Sequence, residues 1–132
     1  MTAIALQDAL ITALLGDGTV SALVGSRVYD NAPDKVPYPY ITLGPYQEIT
    51  DDAECIEASE AYQQIDVWTQ EAGSQRGCKE LSRAVKKALH GADLALSEGA
   101  VVLVEVESWS VQADPEEFVS HGIVNVKVLT ED

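Results

Sequence analysis

Residues 101–129 read VVLVEVESWSVQADPEEFVSHGIVNVKVL, and this stretch decides the fold. Val101 to Gln112 and Val119 to Leu129 read as two long strands. Val102, Val104 and Val106 share one side of the first, and Val124, Val126 and Val128 share one side of the second. That period of two marks strands with a single buried face. The polar segment Ala113 to Phe118 between them has hairpin character. Glu105 and Glu107 project from the opposite face of their strand and Lys127 from that of its partner, close enough to pair in some registers. A hairpin apolar on one face requires a second layer to cover it.

The covering layer is written just upstream. Gly73-Ser74 opens a helix from Gln75 to His90, closed by Gly91. At about 100° per residue, Cys78, Leu81, Ala84, Val85, Ala88 and Leu89 fall on one arc. Arg76, Lys79, Arg83, Lys86 and Lys87 fall on the other, so one face packs and the other is a basic stripe.

Residues 2–15 predict a second helix. Leu6, Leu10, Ala13 and Leu14 lie on one face, while Ile4, Ile11 and Leu15 spread apolar surface round another, which predicts burial on more than one side. Gly16-Asp17-Gly18 stops it, and Thr19 is placed to cap a short turn from Val20 to Val24. Short strands follow at Arg27 to Asp30 and Tyr40 to Leu43, the latter introduced by Pro37-Tyr38-Pro39. Ala61 to Thr69 alternates as another strand. Between them, Gln47 to Glu60 carries Glu48, Asp51, Asp52, Glu54, Glu57 and Glu60 with no base, and reads as a mobile acidic loop. The expected class is α+β: an antiparallel β-sheet packed against two α-helices, in one domain spanning residues 1–132, with a long C-terminal β-hairpin.

Composition narrows the function. Twenty-two acids against eight bases give a net charge of −14. A surface this acidic repels phosphates over most of its area, so free nucleic acid is not an expected ligand. Met1-Thr2-Ala3 lacks the basic region of a signal peptide, and no run of about 18 apolar residues predicts a membrane span. Cys55 and Cys78 read as reduced thiols.

Catalytic chemistry is poorly provided for. His90 ends a helix, where a cation favours the dipole and can cap free carbonyls, and His121 lies near the start of a strand. No nucleophile motif, phosphate loop or zinc motif accompanies them, so no catalytic residue and no cofactor is expected. Asp51, Asp52, Glu54 and Glu57 lack the glycine-centred pattern of a calcium loop and read as a solvated charge run, so no metal site is expected. The basic stripe holds five of the eight basic residues. It is either a solvated helix face or a surface that meets an acidic patch on another copy or a partner. Opposite charges segregated onto separate faces suit a head-to-tail contact, the kind that closes into a ring.

Gly25-Ser26-Arg27-Val28-Tyr29-Asp30-Asn31-Ala32-Pro33, followed by Pro37-Tyr38-Pro39-Tyr40-Ile41, resembles the N-terminal signature of a phage tail-completion family. Asp66-Val67-Trp68-Thr69, Ala88-Leu89-His90-Gly91-Ala92 and His121-Gly122-Ile123-Val124-Asn125-Val126 resemble it in the same order, over nearly the whole chain. The resemblance implies a structural subunit of phages or gene transfer agents, assembled in the bacterial cytoplasm. It would cap the completed tail tube and join it to the head connector as a ring of about six copies. The implied partners are the chain itself, the tail-tube protein and a connector or stopper protein. DNA would pass through the channel unbound, repelled by the acids of residues 48–60. Two alternatives remain open at this stage: another protein of the head–tail neck, and a small-molecule binding module lined by Tyr29, Tyr38, Tyr40, Tyr46 and Tyr62.

Overall fold

The computed structural model describes residues 3–51 and 58–131. Its elements are helix α1 (Ala3–Gly16), helix α2 (Gly18–Val24), strand β1 (Val28–Tyr29), strand β2 (Tyr40–Asp51) and strand β3 (Ala58–Gln70). Helix α3 (Arg76–Leu89), strand β4 (Ala100–Ala113) and strand β5 (Val119–Glu131) complete the chain. The strands form one sheet in the order β1-β2-β3-β5-β4. Every pairing is antiparallel except the two-residue β1, which runs parallel to β2. The α+β class and the C-terminal hairpin are as expected from the sequence, with a third helix and a mixed sheet added.

The helices lie on one face of the sheet. α3 packs across β3, β5 and β4, and α1 packs on α2, α3 and β1. Ile65 and Val67 of β3, Val124, Val126 and Val128 of β5, and Val104 and Val106 of β4 meet Leu81, Val85 and Leu89 of α3 in one core. Leu6, Leu10 and Leu14 of α1 and Val20 and Val24 of α2 are fully buried in that same core, each such side chain contributing about 1.5–3 kcal/mol. α3 approaches β5 closely because Gly122 has no side chain: a Cβ there would stand 3.1 Å from Val67 Cβ and 3.2 Å from Cys78 Sγ.

Four local expectations need correction. α1 buries one side only, with Ile4 70% and Leu15 40% exposed, because no element covers its second apolar stripe among the described residues. Asp17 caps α2, not Thr19: its Oδ1 accepts from the backbone N–H groups of Thr19 and Val20 at 3.1 and 2.9 Å, and the helix starts at Gly18. A carboxylate one position before the first helical residue reaches both free donors, which Thr19 inside the helix cannot. Val102 faces outward, 60% exposed, because a register shift between Val101 and Leu103 moves it off the valine face.

The largest correction concerns Gln47 to Glu60. β2 continues through Glu48 to Asp51, and β3 begins at Ala58, so both flanks of the acidic run are paired strand. Asp52, Cys55, Glu54 and Glu57 lie outside the described residues. The extension uses a bulge at Gly44-Pro45, where the register shifts between Leu43 and Tyr46 and the proline needs no donor. A Cβ on Gly44 would stand 2.5 Å from Asp66 Oδ2, so this glycine gives the next strand's carboxylate its room.

Candidate functional site

α3 carries the basic stripe where the sequence placed it. Its N-terminal turn is held by Glu71, whose Oε1 accepts from the Gly77 N–H at 2.7 Å, and by Ser74, whose hydroxyl accepts from the Arg76 N–H at 3.1 Å. A carboxylate at that end and Lys86 and Lys87 in the last turn both suit the helix dipole. Arg76, Lys79, Arg83 and Lys87 are exposed and Lys86 is half-buried. Glu80 interrupts the stripe, pairing with Arg76 at 3.3 Å between side chains 58% and 85% exposed. So open a pair contributes little to stability.

His90 does not act as the dipole-stabilising cation the sequence suggested. Its backbone N–H donates to Lys86 O at 2.9 Å, and its Nδ1 accepts from the Val106 N–H at 3.0 Å. A ring nitrogen that accepts carries no proton of its own. Beside it, the Gly91 N–H donates to Val104 O at 2.9 Å. The end of α3 thereby covers part of the outer edge of β4, where an unpaired strand would otherwise offer itself to another chain.

Among the described residues, the opposite face of the sheet carries no helix. Register fixes what it displays. Tyr40, Trp68, His121 and Gln112 form one cross-strand row, Thr42, Asp66, Ile123 and Ser110 the next. Farther along come Gln47, Tyr62, Lys127 and Glu105, then Ile49, Glu60, Leu129 and Leu103. The first rows are tightly organised. Trp68 stacks on His121 at 4.0 Å and 9°, and on Tyr40 at 6.3 Å, while Tyr38 lies 5.3 Å from Tyr40. Trp68 Nε1 donates to the Thr42 hydroxyl at 3.0 Å. His121 Nε2 lies 2.8 Å from Asp66 Oδ1, which also accepts from the Gln64 amide at 2.8 Å.

Acidic groups flank this aromatic ladder. Asp114 and Glu116 in the β4–β5 turn lie near enough that their charge, after burial, helps push the Tyr38 and Tyr40 phenols above their ordinary range. At the other end, the Tyr62 hydroxyl donates to Glu60 at 2.9 Å and is raised first by that bond. Lys127 holds its ammonium 5.9 Å from the Tyr62 ring centre, and its pKa is raised by Tyr62 and then by Glu60. Glu105, which faces Lys127 across the strands, and Glu107, at the register shift beside it and near enough to act on Tyr62 and Lys127, complete the acidic end.

The remaining candidates do not converge. Glu48 pairs with Ala61 and so shares the helix side of the sheet, whereas Glu60 shares the uncovered side, which separates two members of the expected acidic belt. The five tyrosines do not line one cleft: Tyr46 and Tyr62 border a depression of about 270 Å³, and Tyr38 lies beside a different one. Among the described residues no group of three His, Cys, Asp or Glu side chains could hold a metal ion. No single described helix is long and apolar enough to cross a membrane; α1 and α2 together are, but they bend by 84° and bury Leu6, Leu10, Leu14, Val20 and Val24 in the core.

The Trp68–His121–Asp66 cluster escaped the sequence reading. Asp66, Trp68 and His121 stand in two of the segments that carry the family resemblance, but their meeting depends on β3 pairing with β5 across the whole of α3 and β4. No local periodicity encodes that pairing.

A chain from the virion of a native gene transfer agent particle shares this fold with a TM-score of 0.89 and 29% identity, over 98% of this chain and 97% of that one. A second solved structure is 12% identical with a TM-score of 0.60, over 100% of this chain and 96% of that one, and shares the fold. No curated protein matches the chain. The model of the family "Tail completion protein gp17" matches residues 8–131, and the chain belongs to that family.

Proposed function

We propose that this protein caps the completed tail tube of a phage or phage-like particle and joins it to the head connector, working as a closed ring of copies. As a tail-completion protein it is a structural component of the particle, with a role in assembly and not in catalysis. The observation that carries the finer reading is the likeness to a virion subunit along nearly the full length of both chains. A ring of about six copies suits a chain whose positive charge is gathered on one helix and whose remaining surface is acidic, because such a molecule attracts itself head to tail.

In this reading Arg76, Lys79, Arg83, Lys86 and Lys87 contact a neighbouring copy or the tube protein. The acidic run, whose members Glu48 and Glu60 lie on opposite faces of the sheet, sits at the rim of the channel in this reading, and its charge repels the passing DNA. The self, the tube protein and a connector or stopper are the partners. Light scattering on the purified protein, alone and with tail-tube protein, tests the ring directly. Persistent monomer under both conditions rejects it. The Arg83→Glu, Lys87→Glu double variant is expected to abolish or weaken assembly and remove its salt dependence; unchanged assembly makes the stripe a solvated face.

A further inference from the structure

We propose that the uncovered face of the sheet is the socket that receives α3 of a neighbouring copy. The inference rests on the ring reading and names the surface that answers the basic stripe.

Three observations carry it. First, α3 lies on one face of the sheet with its cationic side turned outward, and the uncovered face looks the opposite way. A contact between two different faces of identical molecules is heterologous and repeats from copy to copy, and it closes into a ring when the rotation at each step sums to a full turn. Second, charge is complementary. The uncovered face and its turn display Glu105, Glu107, Asp114 and Glu116, while Lys127 is drawn toward Tyr62 and Glu60, and His121 toward Asp66. Third, between the two acidic ends lies the ladder Tyr38, Tyr40, Trp68, and aromatic ring faces attract guanidinium and ammonium groups.

The dimensions agree. From Arg76 to Lys87 the stripe spans roughly 17 Å at about 1.5 Å per residue. From Glu107 to Asp114, β4 spans roughly 23 Å at about 3.3 Å per residue. The stripe is shorter than the face by about 6 Å, a gap that extended arginine and lysine side chains cover in a single docking.

Reciprocal charge reversal tests this in the full-length chain. One variant carries Glu105→Lys and Glu107→Lys, the other Arg83→Glu and Lys87→Glu, and circular dichroism checks that both are folded. Each alone is expected to lose self-association by roughly tenfold or more, since attractive pairs become repulsive. Mixed in equal amounts they are expected to assemble again, because each reversed sheet face then meets a reversed stripe and each native face a native stripe, in a ring of alternating copies. If the sheet-face variant assembles like the parent, the socket is elsewhere and the ring reading survives. If both variants fail and the mixture fails too, the two faces do not meet. If the sheet-face variant assembles normally but no longer binds tail-tube protein, the face belongs to that partner and the inference is overturned. A parent protein that never forms a ring, with or without tube protein, rejects the ring reading itself.

Discussion

Replacing Gly122 by alanine is a direct probe of how α3, and with it the basic stripe, is seated. The new methyl would stand 3.1 Å from Val67 Cβ and 3.2 Å from Cys78 Sγ, and would overlap the Ser82 hydroxyl. Overpacking of this kind costs typically about 1–3 kcal/mol, against about 0.5–1 kcal/mol regained when alanine replaces a strand glycine. The expected net loss is about 1–2 kcal/mol, or a fall in Tm of about 4–8 °C for a chain of this size. Ser82 supplies the control. Its hydroxyl is buried beside the Cys78 thiol but makes no hydrogen bond of good geometry, so Ser82→Ala alone is expected to be nearly neutral. Adding Ser82→Ala to Gly122→Ala removes the worst overlap and is expected to recover about half of the loss, the contacts to Val67 and Cys78 persisting. Urea unfolding followed by circular dichroism measures all four members of the cycle. A Gly122→Ala protein as stable as the parent, or a double variant no better than the sum of its singles, refutes the claim that close approach at Gly122 sets the position of α3.

Asp17→Ala removes the acceptor for two backbone donors of α2 and is expected to cost about 1 kcal/mol in urea unfolding, with Asp17→Asn costing much less. His121→Ala uncovers one face of Trp68 and takes a partner from the buried Asp66 carboxylate; in a Trp109→Phe background the tryptophan emission should shift to the red, and stability should fall by about 1–3 kcal/mol. Burial pushes the Cys78 thiol above its ordinary value of 9.0, with the Thr69 and Ser82 hydroxyls opposing the shift. The folded state therefore keeps this proton more tightly than the unfolded chain, so stability is fully present below about pH 9 and falls as pH rises beyond it, by at most about 1.4 kcal/mol per unit. Cys78→Ala should flatten that alkaline decline in Tm; an unchanged slope between pH 9 and 10 rules the thiol out as its source.

The sequence spoke most clearly where one periodicity served one surface. α3 has a single apolar arc and a single charged one, and its bounds fall within a residue of those expected, Arg76–Leu89 against Gln75 to His90. β5 alternates cleanly from Val124 to Val128 for the same reason. Val102 misled because a bulge shifts the period by one residue, and a bulge leaves no composition signal in a valine-rich strand. The flanks of the acidic run misled in a different way. Charge and low hydropathy argue for an open loop, but pairing with β3 and β5 supplies backbone hydrogen bonds that local composition does not reveal. His90 was read from helix position alone, and its true acceptor role needs Val106, sixteen residues away. The basic stripe was legible because it is local; the face proposed to receive it is built from β2, β3, β5 and β4 and exists only once their registers are set.

The position of β5 also restricts the order of folding. β3 and β4 run in the same direction, linked by α3, with β5 inserted between them. Had β3 and β4 paired directly first, β5 would have no place to enter without undoing that ladder. The β4–β5 hairpin can close through local contacts, whereas pairing β5 with β3 waits on a longer loop closure and is slow by comparison. During synthesis the β2–β3 hairpin and α3 emerge well before Val119, and until β5 follows, β3 carries an unpaired edge. The last strand acts as a keystone, and a chain cut short before it would be left with an aggregation-prone ribbon in place of a subunit.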